Sequence, residues 1–191
     1  MKNIVFSSLF SIVLIGLFAT ESIAQKAKVN WYSWEDAMAA QAVQKKKIYV
    51  DIYTDWCGPC KFMDRTTFSD PQVANYLNEH FYPVKLNAER KEPLAHDGTT
   101  HVFMPFQNRG YHQFAAALME GKLSYPTNVF LTEDIVVEQR IQGALNPVKM
   151  HKVLTYIVEE SVKPSPLSWK DYQAQYDQKF VQDRSQNAGS N

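Results

Sequence analysis

The chain has 191 residues, 45% of them hydrophobic and 21% charged, with nine prolines and seven glycines. That is the composition of one ordinary globular domain and excludes a chain disordered throughout. Twenty basic residues balance twenty acidic ones, so no large field exists to hold nucleic acid phosphates or an anionic membrane surface.

Residues 1–24 combine a basic start (Lys2), an apolar run from Ile4 to Ala19 and a closing Ser22-Ile23-Ala24. This pattern reads as a secretory signal cleaved after Ala24 rather than as a spanning anchor, because small residues stand at the two positions a signal peptidase reads. The expected address is periplasmic or extracellular. In such an oxidising compartment the redox state of the two cysteines, Cys57 and Cys60, becomes a functional question.

Ser33 caps a first predicted helix that carries Trp34, Ala37, Met38 and Ala42 on one face, has Asp36 at its third position and ends near Lys46. Lys47 to Thr54 is β-branched and aromatic with apolar side chains pointing both ways, as a central strand buried on both faces requires. A helix starts around Cys57. Asp70-Pro71 opens another, with Val73, Tyr76 and Leu77 as its stripe, and Phe81 to Leu86 returns as a strand.

Residues 88–110 lack a sustained period and contain Pro93, Asp97-Gly98, Pro105 and Asn108, so they read as an irregular surface excursion. Gly110 and Gly121 bracket a helix with Tyr111, Phe114, Ala115, Leu118 and Met119 on one face. Thr127 to Leu131 and Ile135 to Ile141 form an antiparallel pair, and Asn146-Pro147 starts a helix reaching Val158. After Lys163-Pro164-Ser165-Pro166, residues Trp169, Tyr172, Tyr176 and Phe180 recur at helical spacing, as in an amphipathic helix folded back on the domain. Gln182 to Asn191 is polar and reads as disordered. The divisions are a signal segment 1–24, an α/β domain 25–162 and an extension 163–191.

The chemistry concentrates in Trp56-Cys57-Gly58-Pro59-Cys60-Lys61, placed after a strand and before a helix. Unpaired N–H groups and the aligned peptide dipoles at a helix N-terminus favour thiolate over thiol, an interaction worth about 0.5–2 kcal/mol. Cys57 is therefore the expected exposed nucleophile and Cys60, one turn inward, the resolving thiol, held at high effective concentration. Pro59 fixes the backbone early in the helix, and Gly58 lets a partner chain come close. Asp51, six residues upstream in an apolar strand, has a raised pKa by burial and takes the proton of Cys60 through water; the plainer alternative is a core aspartate paired to a lysine. Lys61 reads as a solvated helix lysine.

IYVDIYTDWCGPCK resembles the active-site strand and helix of the thioredoxin family, with Asp51, Trp56, Cys57, Gly58, Pro59, Cys60 and Lys61 at family positions. The resemblance runs from about Val29 to Glu160 and implies a thioredoxin-like α/β fold, a central mixed sheet flanked by helices. An insertion at about 88–122 and the C-terminal helical extension depart from the family pattern. It further implies that Lys85 neighbours Asp51, that Tyr125-Pro126 forms a cis-proline loop facing the cysteines, and that Gly143 flanks a substrate groove. With Trp56, Gly58 and Pro59 these are the substrate-binding candidates. The implied activity is exported thiol:disulfide exchange in the reducing direction, with disulfide-containing exported proteins as substrates and a membrane protein as electron donor. No cofactor is expected beyond the Cys57–Cys60 disulfide itself.

Two rivals remain. A Cys2His2 zinc site from the cysteines with His96 and His101 needs a linker far longer than usual, and Pro59 resists tetrahedral closure, so no metal is expected. His96, His101 and His112 then read as loop and helix-surface histidines, with His112 near the groove able to tune a pH response. The other rival is a thioredoxin-fold binding or chaperone module with little turnover.

Overall fold

A computed structural model describes residues 28–188; the expected signal segment and the last three residues lie outside it. Ser33 accepts a hydrogen bond from the Asp36 N–H at 3.0 Å and starts α1 (Trp34–Val43). The helix stops three residues before the predicted end. Its inner face takes Gln41 rather than Ala42, because the Gln41 amide bonds both backbone groups of Lys46 and the Glu133 carbonyl. These bonds turn the chain into β1 (Lys47–Tyr53).

Next come α2 (Gly58–Thr66), α3 (Pro71–His80) and β2 (Phe81–Asn87), and later β7 (Thr127–Leu131), β8 (Val137–Gln142) and α5 (Pro147–Thr155). Asp70 and Asn146 cap α3 and α5 as their sequence predicts. The main sheet has the order β2-β1-β7-β8: β1 and β2 are parallel, and the other two pairs antiparallel. β8 begins two residues later than expected because Ile135 takes a positive φ in the turn. α5 passes into a π turn, Tyr156–Glu160, before the proline-rich break.

Residues 88–93 are irregular as expected, but those that follow are not. They form two small hairpins, β3 (Leu94–His96) with β4 (Thr99–His101) and β5 (Phe103–Phe106) with β6 (Arg109–His112). Asp97 and Gly98 both have positive φ, as a two-residue hairpin turn demands. Strands of three or four residues are too short for a period to register, which is why they read as a loop. Gly110 and Tyr111 accordingly belong to β6, and the following helix α4 (Gln113–Leu118) is shorter than the bracketing glycines implied.

Side chains alternate across β1. Ile48, Val50 and Ile52 join Trp34, Val84, Leu94, Phe114 and Val129 on one face; Tyr49 joins Met63, Leu77, Phe130, Leu145 and Leu154 on the other. The sheet is thus covered on both sides. The C-terminal α6 (Trp169–Ala188) docks on the α5 side: Tyr172 donates to Thr155 at 2.6 Å, His151 and Tyr176 are 2.6 Å apart, and Lys152 pairs with Asp177. The helix runs on to Ala188 through most of the stretch read as disordered.

Candidate redox site

β1 ends at Tyr53, and four residues later Cys57 stands as N-cap of α2, in extended conformation, its Sγ accepting from the Cys60 N–H at 3.1 Å. Pro59 occupies the first turn, where its missing N–H leaves no hydrogen bond unmade. Cys57 and Cys60 are joined by a disulfide, S–S 2.02 Å. The expectation of an exposed Cys57 is corrected here: the two residues are 3% and 2% exposed. In the disulfide form position distinguishes the two cysteines and exposure does not. Cys57 holds the cap at the electropositive helix mouth, and Cys60 sits one turn inside. Gly58, Pro59, Trp56 and Lys61 are exposed around them, Lys61 as a solvated helix residue.

The parallel register sets Asp51 beside Lys85 and, on the other side, opposite Asn128. Asp51 is 1% exposed, and burial pushes its carboxyl above the usual range while the neighbouring Lys85 pulls the other way. Lys85 donates to Asp51 Oδ2 at 2.7 Å and also contacts the Asp64 carboxylate of α2. Burial lowers the Lys85 pKa, but the two carboxylates outweigh it and hold the ammonium above its ordinary value. Asp51 Oδ1 has no hydrogen-bond partner among the described residues. One oxygen of Asp51 is therefore lysine-paired, as in the plainer of the two readings, and the other is buried without a partner among the described residues.

The Tyr125-Pro126 peptide is cis. Gly143, at positive φ, donates its N–H to the Pro126 carbonyl at 2.8 Å, and the Asn128 side chain donates to the Gly143 carbonyl at 3.1 Å. Tyr125 meets the Trp56 ring edge-on at 5.7 Å. The candidate groove residues Trp56, Tyr125, Pro126 and Gly143 are thus assembled at one end of the sheet, where β1 leads into α2.

The insertion reaches this assembly. Glu89 accepts from the Trp56 indole N–H at 3.0 Å, and the Arg109 guanidinium lies over the Trp56 ring at 4.3 Å. A cleft of about 330 Å³ opens between them, lined by Trp56, Glu89, Phe106, Arg109, Leu123 and Tyr125. Phe106 is 61% exposed at its edge.

Sequence reasoning missed Asp64, Glu89, Arg109 and Asn128. Asn128 was findable, since a polar residue inside Thr127–Leu131 is the same signal that marked Asp51. Asp64 follows Cys60 by four residues, one helical turn. Glu89 and Arg109 carry no local signal. His112 is corrected: it is fully buried, and its Nδ1 accepts from the Phe114 N–H at 3.2 Å as the cap of α4. Burial, then Arg90, lowers its pKa, in keeping with a neutral ring used as an acceptor. His96 and His101 pack against Phe114. Among the described residues no group of three or more His, Cys, Asp or Glu side chains could hold a metal ion.

The solution structure of a thioredoxin from Thermus thermophilus aligns with 70% of this chain and 88% of its own at TM-score 0.51 and 19% identity. A thioredoxin-fold protein from Helicobacter pylori aligns with 70% and 81% at TM-score 0.51 and 14% identity. Both share the fold. The thiol:disulfide interchange protein DsbD of Photorhabdus laumondii subsp. laumondii is 40% identical over 50 residues, which is 26% of this chain but 8% of DsbD. The profile of the Thioredox_DsbH family, described as "Protein of unknown function, DUF255", matches residues 21–138. With more than half its length matched, the thioredoxin fold in place and the Cys57–Cys60 pair at the helix mouth, the chain belongs to this Thioredox_DsbH family.

Proposed function

We propose that the chain is an exported thiol:disulfide oxidoreductase that reduces disulfides in periplasmic proteins and is itself re-reduced by a membrane electron donor. The observation that carries the reading is the Cys57–Cys60 pair at the start of α2, which follows the strand that holds the buried, half-satisfied Asp51. The partial similarity to DsbD supports disulfide-related partners, and the N-terminal sequence pattern supports export.

In the reduced protein the helix mouth stabilises Cys57 as thiolate. Cys57 attacks one sulfur of the substrate disulfide; the S–S bond breaks, the second substrate sulfur leaves as a thiolate, and a mixed disulfide remains. Cys60 then gives its proton to Asp51 and attacks Cys57 Sγ. The mixed disulfide breaks, the first substrate sulfur leaves with its electron pair, and the Cys57–Cys60 bond closes. Two electrons pass to the substrate, whose two thiolates take up protons from solvent, and Asp51 returns its proton to solvent. An extended substrate chain lies across Trp56, the Tyr125-Pro126 loop and Gly143, with backbone groups of the loop edge as its hydrogen-bonding partners.

The test is reduction of insulin by the intact protein with dithiothreitol as electron source. Turnover is expected with the native pair and is lost in Cys57→Ser and Cys60→Ser. Cys60→Ala is expected to accumulate exported proteins on Cys57 in vivo. Absence of turnover by the native pair overturns the reading and leaves a binding module.

A further inference from the structure

Lys85 is shared. Its ammonium lies against Asp51 Oδ2 at 2.7 Å and against the Asp64 carboxylate, and it is flanked by the rings of Trp31, Phe68 and Tyr53 at 4.9, 4.9 and 5.1 Å. Those rings fix the ammonium between an inner carboxylate 1% exposed and an outer one whose side chain is 44% exposed. Asp64 is carried by α2, one turn after the resolving Cys60, so the helix that begins at the cysteine pair also supplies the outer carboxylate on Lys85.

We propose that Asp64 is a positioning residue of the redox site: by sharing Lys85 with Asp51 it keeps the buried carboxyl able both to take the Cys60 proton and to give it back. The proposal rests on the role given to Asp51 above. An acid–base group serves both directions only if neither of its forms is overwhelmingly favoured. A lysine devoted to Asp51 forms a neutral pair and holds the carboxylate ionised, a poor proton donor. With Asp64 present, one ammonium serves two carboxylates, and the three groups carry a net charge of −1 when both acids are ionised. That excess favours a proton on the less solvated acid, Asp51, and both burial and repulsion from Asp64 act on it in this direction.

The charged and titratable groups facing Asp51 are few. Lys85 faces it from β2, Asp64 from α2, and Tyr49 and Tyr53 from its own strand. From β7 it faces Asn128, which is neutral and accepts from Tyr49. The Tyr49 hydroxyl is pushed well up by burial and stays protonated, so Asp64 and Lys85 are the groups that set the balance.

The test uses the full chain in its oxidised form and needs no natural substrate. The Asp51 carboxyl is titrated by carbon NMR in the native protein, in Asp64→Asn and in Asp64→Glu, with Asp51→Asn to assign the resonance. Reduction by dithiothreitol is followed over the same pH range. In that reaction a dithiothreitol thiolate attacks Cys57, the Cys57–Cys60 bond breaks, and Cys60 leaves with the electron pair and takes the Asp51 proton. The second dithiothreitol thiol then releases Cys57 and closes the oxidised ring.

Asp64→Asn is expected to move the Asp51 titration down by about one pH unit, the lower end of what a neighbouring charge does. The fall in the thiolate-corrected reduction rate moves down with it, and Asp64→Glu restores both. An unchanged or upward titration in Asp64→Asn overturns the proposal, and so does a shifted titration with an unmoved rate profile. Failure to reduce insulin overturns the proposed substrate class and leaves these two readouts standing, so the two failures are distinguishable.

Discussion

Lys85→Met removes the ammonium while keeping most of the aliphatic stem against Trp31 and Phe68. Asp51, 1% exposed, then loses its hydrogen bond at Oδ2, and Oδ1 has no partner among the described residues to compensate. Removing one partner of a buried ion pair costs about 3–5 kcal/mol when the remaining group stays charged. Protonating Asp51 avoids that cost. Its folded pKa already lies above the ordinary 3.8 through burial, with Lys85 opposing the rise, so removing Lys85 raises it further. For an acid whose folded pKa is raised, the native state binds more protons than the unfolded chain, and stability falls as pH rises. The variant should therefore match the native protein near pH 4 to within about 1 kcal/mol and lose about 3 kcal/mol by pH 8. For a domain of this size that is a drop in Tm of about 6–12 °C. Urea unfolding of the oxidised protein at both pH values measures it, with Lys85→Met/Asp51→Asn expected to recover most of the loss at pH 8. An equal loss at pH 4 and pH 8, or no recovery in the double variant, refutes the buried-charge argument.

Two further outcomes concern the insertion. Gly110→Ala places a Cβ 2.5 Å from the Met104 carbonyl and into the Phe103 ring, at a φ of +150° that L residues rarely adopt; thermal unfolding should register a loss of about 1–3 kcal/mol, and a neutral result would mean the β5–β6 hairpin shifts freely. Glu89→Ala removes the acceptor of the Trp56 indole, so the Trp56 N–H resonance should move while stability changes by about 1 kcal/mol or less. Its kcat/KM for a protein disulfide should fall more than for a small disulfide, and equal effects on both would remove Trp56 positioning as a contribution to substrate choice.

The pattern of local signals explains which elements the sequence made legible. Ser33, Asp70 and Asn146 each announced a helix start because a cap is satisfied within three residues of itself. Asp51 stood out because a carboxylate inside an apolar strand is costly wherever the strand ends up. β3 to β6 left little trace beyond the Asp97-Gly98 turn: each is three or four residues long, too short for a period to register, and where the hairpins dock depends on distant partners, as where the His112 N–H donates to the Ala88 carbonyl. The buried cap His112 was misread for the same reason, since burial is a property of what packs around a residue.

The amino-acid order alone determined the redox chemistry, because two cysteines separated by Gly58-Pro59 at a strand-to-helix junction need nothing beyond the first turn of that helix to become a reactive pair. Folding decided the surroundings of that pair. The β1–β2 register places Lys85 against Asp51, α2 adds Asp64 to the same ammonium, and a hairpin some fifty residues further on lays Arg109 over Trp56. Charge balance and substrate access depend on distances through space between groups far apart in the chain, and those distances exist only once both faces of the sheet are packed.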